Sequence, residues 1–181
     1  MLRTIKITRS TADNDELRLL YETAFPVEEQ IPYDDLIYLL GILSIDYTAY
    51  YDGPTLVGLT MVLHMPRYNW GWYFAVSEPL RGKGYGQRIL SKLLGQYQED
   101  DYPFIIDVES PWQADAPNPE QRQRRHAFYV RNGLKDTPTS RTFEGISYTI
   151  MTNSDAPFTQ QDYDDILASL RTVWENMPRE Q

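Results

Sequence analysis

The spacing of hydrophobic and polar positions changes along the chain in a way that predicts strands and helices in turn. Residues 2–8 alternate Leu2, Thr4 and Lys6 with Arg3, Ile5 and Ile7, a period of two that predicts a first strand. Leu17, Leu20 and Tyr21 share a helical face, predicting a helix to about Thr23 capped by Thr11 or Asp13. Pro26 and Pro32 break the pattern before a second short helix over 33–40. Three β-rich runs follow at 44–51, 55–65 and 70–76, the first two joined by the turn Asp52-Gly53-Pro54. Ile89, Leu90, Leu93 and Leu94 predict a helix over 84–97, and residues 104–108 are a short apolar run suited to a buried strand. A helix over 119–131 is closed by Asn132-Gly133, a sequence fit for a left-handed C-cap. Residues 135–152 read as two more strands. Tyr163, Ile166, Leu167, Leu170, Val173, Trp174 and Met177 then mark a last amphipathic helix, capped by Thr159 or a polar residue near Thr152.

The order β α α β β β α β α β β α predicts an α/β fold on one mixed sheet, with no linker long enough to divide it. We expect a main domain over 1–152 and a C-terminal helical extension over 153–181 packed on it, or offered as a homodimer contact. The length of 181 residues suits one ordinary domain. A hydrophobic fraction of 41% supplies a real core and excludes a disordered acidic tail. With no cysteine, disulfides, thiolate metal sites and a cysteine nucleophile are excluded. His64 and His126 lack the spacing of a metal site and read as structural, so no metal is expected. The first residues carry no signal-peptide core, and the longest apolar stretch, near 36–43, is far below the roughly 20 residues of a membrane span. The expectation is a soluble cytoplasmic protein.

Charge refines the picture. Seventeen Lys and Arg against 26 Asp and Glu give a net charge of -9, which argues against nucleic acid or an anionic membrane as partner. The bases are not spread evenly. Arg81, Lys83, Arg88 and Lys92 form one island without an acid, and Arg122, Arg124, Arg125 and Arg131 form another. Each island is either a solvated helix face or part of a site for an anionic ligand.

The first island surrounds Arg81-Gly82-Lys83-Gly84-Tyr85-Gly86, where a strand ending near Val76 passes through a short loop into a helix. Glycines let backbone approach a ligand, and the helix start offers N–H groups and a favourable dipole, the needs of a pyrophosphate. The spacing fits neither a P-loop nor a dinucleotide fingerprint.

These residues resemble the acyl-CoA pyrophosphate loop of the GNAT N-acetyltransferase superfamily, with Arg81, Gly84 and Gly86 in register. Phe128-Tyr129-Val130-Arg131-Asn132-Gly133-Leu134 resembles the family's second motif, with Tyr129 and Gly133 in register and Leu134 in place of the usual Phe. The resemblance implies a mostly antiparallel, twisted sheet of about seven strands flanked by helices and splayed between strands four and five. It also implies acetyl-CoA as co-substrate, held by Phe74, Ala75, Val76, Arg81, Gly82, Lys83, Gly84, Tyr85, Gly86 and Gln87. The backbone near Phe74, Ala75 and Val76 would polarise the acetyl carbonyl. Arg122 stands where the family often has an Asn that contacts the pantetheine arm, so Arg122 or Arg125 is left to meet a CoA phosphate.

The implied reaction is direct transfer to an amine of a small molecule or peptide. Such an amine, with a pKa of about 10.4, is neutral roughly once in 10³ at pH 7, a deficit of about 4 kcal/mol for a base and desolvation to supply. Tyr129 is the expected acid for the leaving thiolate, and Glu109 the expected base. Glu28 and Glu29 are expected on the acceptor side. Trp70, Trp72, Tyr73, Tyr33 and Tyr38 line an acceptor pocket or fill the core. Outside the two islands, nine bases face 26 acids, which favours a cationic acceptor. Other readings are a catalytically silent acyl-CoA-binding module and a nucleotide-binding regulator.

Overall fold

A computed structural model of the chain describes residues 2–97 and 102–177, so the end of the expected extension, 178–181, lies outside the described residues. Its elements follow the predicted order: β1 (Arg3–Ile7), α1 (Asp15–Ala24), α2 (Tyr33–Leu39), β2 (Ile45–Asp52), β3 (Thr55–His64), β4 (Asn69–Val76), α3 (Tyr85–Gln96), β5 (Phe104–Glu109), α4 (Pro119–Arg131), β6 (Lys135–Phe143), β7 (Ile146–Thr152) and α5 (Gln160–Glu175). Single 3-10 turns stand at Val27–Glu29 and Glu78–Leu80. Hydrogen bonding joins the strands in the order β1-β2-β3-β4-β5-β7-β6, a seven-stranded mixed sheet. The pairs β1/β2, β2/β3, β3/β4 and β6/β7 are antiparallel, and β4/β5 is parallel.

The chain groups into two compact units, Met1–Ile106 and Asp107–Gln181, with β5 contributing to both. In the first, α1 and α2 cover one face of the sheet. Leu17, Leu20, Tyr21, Tyr33 and Leu36 pack there with Tyr47, Leu59, Met61, Tyr73 and Ala75. On the other face, Ile89 of α3 packs with Leu2, Tyr50 and Val57, joined by Phe74 and Val76. This contact is close: a Cβ on Gly58 would meet the Ala75 carbonyl oxygen at 2.5 Å and Ile89 Cδ1 at 2.6 Å.

Two details of the first unit depart from simple periodicity. The cap of α1 is Asn14, whose Oδ1 accepts from the N–H groups of Glu16 at 3.0 Å and Leu17 at 3.1 Å. Thr11 is spent instead on a turn, accepting from the Thr8 N–H at 2.9 Å. In β4, Met61 pairs with Tyr73 but Val62 pairs with Gly71, so Trp72 is an extra residue in a β-bulge. The parallel ladder to β5 ends at the pair Gly71 and Ile106, immediately before that bulge. A bulge bends the strand that carries it, and β4 runs on from Trp72 to Val76 past its last described pair with β5, as the expected splay requires.

In the second unit, β6 and β7 form a hairpin with a register shift between Asp136 and Ser140, around Pro138, which has no N–H to give the ladder. Helix α4 starts with Pro119 in its first turn and stops before Gly133, at φ 91°. The last helix, α5, opens on a capping box between Thr159 and Asp162. It is fixed by Tyr163, whose phenol donates to Asp107 of β5 and accepts from Arg141 Nη1 at 3.2 Å. Burial raises that phenol's pKa, so it stays a donor.

Candidate functional site

The turn between β4 and α3 is built by backbone geometry. The Ser77 N–H donates to the Val57 carbonyl at 3.0 Å, after which one 3-10 turn leads to Arg81. Arg81 Nε folds back on the Val76 carbonyl at 3.3 Å. Gly82 has φ 74° and Gly84 φ 80°, left-handed values that cost an L side chain roughly 1–2 kcal/mol. Gly84 is the N-cap of α3, and its place is taken by no side chain, so the helix opens with exposed backbone. The N–H groups of Tyr85, Gly86 and Gln87 begin the helix and have no intrahelical acceptor, which is the arrangement that receives phosphate. Arg81 and Lys83 are exposed beside them. Along α3, Gly84, Gln87, Arg88, Ser91 and Lys92 line an open groove with Leu2.

Of the residues expected at this turn, Tyr85 has a second task. Its phenol donates to Asp52 Oδ2 at 2.8 Å, and Arg88 Nη1 lies 3.5 Å from the same oxygen. The hydrogen bond from Tyr85 holds the Asp52 carboxyl below its ordinary range. Asp52, read in the sequence only as a turn residue, thus ties the β2–β3 turn to the start of α3. Phe74 and Val76 point to the α3 face and Ala75 to the α1 and α2 face, so the β4 backbone divides two differently lined sides.

Glu28 and Glu29 sit in the 3-10 turn between α1 and α2, with Glu28 exposed and Glu29 half-buried. The turn is pinned to β4: Tyr73 donates to the Glu29 carbonyl at 2.9 Å. It is also pinned to α1, because the Tyr21 phenol donates to the Ile31 carbonyl at 3.1 Å and accepts from its N–H at 2.9 Å. Among the aromatic residues, Tyr33, Trp70 and Tyr73 are buried, while Trp72 and Tyr38 are half-buried, so most of that set fills the core.

In the second unit, Tyr129 lies on α4 with 6% of its surface exposed. Burial pushes its phenol up to about 12, with the positive charge of Arg125 working the other way. Glu109 ends β5 and is held by two guanidinium groups. Arg122 Nη2 lies 2.8 Å from Oε1 and Arg125 Nη1 2.6 Å from Oε2. Arg122 is 1% exposed. Its Nε donates to Asn118 Oδ1 at 2.8 Å and its Nη1 to Gln113 Oε1 at 2.8 Å. Gln113 in turn accepts from the Ser147 N–H at 3.0 Å and donates to the Gly145 carbonyl at 2.9 Å. Of the two arginines left to meet a CoA phosphate, Arg122 is buried and committed to protein acceptors, and Arg125 is the more exposed. Asn118 stands four residues before Arg122, a helical spacing visible in the sequence, whereas no spacing marks Gln113.

Both histidines are paired with acids. His64 bridges Asp46 Oδ2 at 3.0 Å and Asn69 Oδ1 at 2.7 Å, and His126 lies 2.8 Å from Asp136 Oδ1. Among the described residues no group of three or more His, Cys, Asp or Glu is placed to hold a metal ion, and no helix is long and apolar enough to cross a membrane.

Comparison with known proteins gives the same outline. No curated protein matches the chain. Among solved structures, a GNAT-family acetyltransferase from Bacteroides thetaiotaomicron aligns with TM-score 0.72 and 23% identity, over 97% of this chain and 99% of that one. A GNAT family acetyltransferase from Elizabethkingia anophelis, with acetyl-CoA bound, aligns with TM-score 0.60 and 13% identity over 83% of this chain and 96% of that one. The ribosomal-protein-S18-alanine N-acetyltransferase of Escherichia coli aligns with TM-score 0.63 and 13% identity over 88% and 100%. At these identities the likeness is one of fold. The sequence model of the Acetyltransferase (GNAT) family matches residues 14–133, a span that contains the glycine turn and the second motif from Phe128 through Gly133. The chain belongs to the GNAT acetyltransferase family.

Proposed function

We propose that the protein is an acetyl-CoA-dependent N-acetyltransferase that passes the acetyl group directly to a primary amine of a cationic small molecule or peptide. The observation that carries this reading is the turn at Gly82 and Gly84, left-handed at both glycines and opening onto the uncapped start of α3. By family, the pyrophosphate goes to this turn and the thioester sulfur to the tyrosine of the second motif.

In the reaction the amine nitrogen bonds to the thioester carbonyl carbon, the C–S bond breaks, and the electron pair leaves on sulfur. The proton lost from nitrogen passes to solvent water beside the acceptor-side carboxylates, and the thiolate takes up a proton from solvent. Glu28 and Glu29 are assigned to the acceptor amine, because the Tyr73 bond holds their turn against β4, two residues from Ala75. Tyr129 is assigned to the sulfur. With its phenol pushed up to about 12, it keeps its proton at neutral pH and is a lasting hydrogen-bond donor. The phenol is thus assigned to donate a hydrogen bond to the developing thiolate.

The test has two stages. Calorimetric titration with acetyl-CoA, ATP and NAD is expected to show binding of acetyl-CoA alone; no binding of acetyl-CoA would sink the proposal. A panel of amines, read by release of free thiol, then identifies the acceptor. With that acceptor, Tyr129→Phe is expected to lower turnover about 10²-fold or more while acetyl-CoA affinity stays within about twofold. Full turnover in the variant would remove Tyr129 from the chemistry, and no thiol release with any amine would favour a silent acyl-CoA-binding module.

A further inference from the structure

We propose that Arg125 supplies the positive charge that offsets the thiolate formed at Tyr129, and that Glu109 and Arg122 are positioning residues that hold it there. This rests on the acetyltransferase reading and adds to it a role for three charged groups outside the two family motifs.

The geometry starts from Glu109. Both of its oxygens lie at hydrogen-bond distance from guanidinium groups, at 2.6 and 2.8 Å. To take a proton from an amine it would have to give up one of these charge-assisted bonds. As an anchor it is well made. Arg122 is fixed on the buried side by Asn118 and Gln113, and Gln113 is fixed by the backbone of Ser147 and Gly145. The position of Glu109 is thus set from behind, and Glu109 sets the position of Arg125 in front.

The charges do not cancel. Two cations face one carboxylate, which leaves one positive charge on the trio. The side chain of Arg122 is 2% exposed and that of Arg125 39%, so the excess lies on Arg125. Arg125 and Tyr129 are four residues apart on α4, which places them on one face of the helix. The charge of Arg125 is felt by the phenol, where it opposes the effect of burial. When the C–S bond breaks, the new negative charge appears at the group that Tyr129 addresses. A negative charge formed there is stabilised by a fixed positive charge on the same helix face. Arg125 is already held in place and needs no rearrangement at that moment.

CoA itself is the probe, and no acceptor is needed. The ultraviolet absorbance of the thiolate is titrated with pH for CoA bound to the protein, with desulfo-CoA as the blank. Arg125→Ala is expected to raise the midpoint of the bound thiol by about one unit, roughly tenfold less thiolate at a given pH below it. Arg125→Lys, which keeps the charge, is expected to recover most of the shift. CoA affinity is expected to stay within about twofold in both variants, since the phosphates are assigned elsewhere. A midpoint unchanged in Arg125→Ala overturns the proposal, and weaker CoA binding with an unchanged midpoint makes Arg125 a phosphate contact instead. If the native protein binds no CoA, the acetyltransferase reading falls and this proposal falls with it. Binding with an unchanged midpoint overturns the proposal alone.

Discussion

The two basic islands look alike in the sequence, four bases in about a dozen residues with no acid, yet the structure uses them in opposite ways. At the glycine turn, Arg81 and Lys83 are exposed, Arg81 with one bond to the Val76 carbonyl, and Arg88 lies over the Tyr85 ring and 3.5 Å from Asp52. On α4, Arg122 is buried, and it shares with Arg125 a carboxylate from a strand ten or more residues away. The first island presents charge to whatever arrives. The second has its counter-ion built in and keeps one charge in reserve. Local composition fixes how many bases a segment has, while the tertiary fold decides whether an acid meets them.

The largest test of this contrast is Arg122→Ala. It leaves Glu109 with one partner inside the protein, and the expected loss, read by urea unfolding, is about 3–5 kcal/mol. Lys83→Ala should change stability by less than about 0.5 kcal/mol while weakening acetyl-CoA binding roughly tenfold. Equal stability losses in the two variants would erase the distinction.

A second pair separates strain from binding. Gly84 and Gly133 both have left-handed φ, 80° and 91°, and open space where a Cβ would go. Gly84→Ala and Gly133→Ala are each expected to cost about 1 kcal/mol of stability. Only Gly84→Ala should weaken acetyl-CoA binding in calorimetric titration. If Gly133→Ala weakens it as much, the turn has no special part in the ligand site.

The smallest effect belongs to Asp52. Its folded pKa is lowered, so its contribution to stability is complete above the ordinary carboxylate value and disappears as pH falls through the lowered one. The melting temperature of Asp52→Asn should lie slightly below that of the native protein at pH 5–7, and the two curves should meet once the pH has fallen well below the ordinary carboxylate range. A gap that persists at low pH would mean that the carboxylate bond to Tyr85 is not its source.

The fold was legible where local chemistry and tertiary packing agree. Pro119 and Gly133 bracket α4 as the sequence indicates, because each fixes a backbone angle whatever surrounds it. The cap of α1 was misplaced because Thr11, an equally good capping residue, is taken by the turn at Thr8. Of the candidate site, the glycine turn could be read directly, since its glycines mark its conformation. The surroundings of Glu109 could not be read. Its partners Arg122 and Arg125 lie 13 and 16 positions further on, and nothing in the spacing says which acid meets which base.

The bulge at Trp72 carries one more lesson. Counted strictly by twos from Trp70, Tyr73 and Ala75 would belong to the α3 side, and the inserted residue is what returns them to the side of α1 and α2. A chain lacking only residue 72 would therefore have a regular β4 with every other side chain on its present face. Shape and wallpaper come apart at this one position: a single deletion straightens the strand while leaving the lining of both its sides untouched.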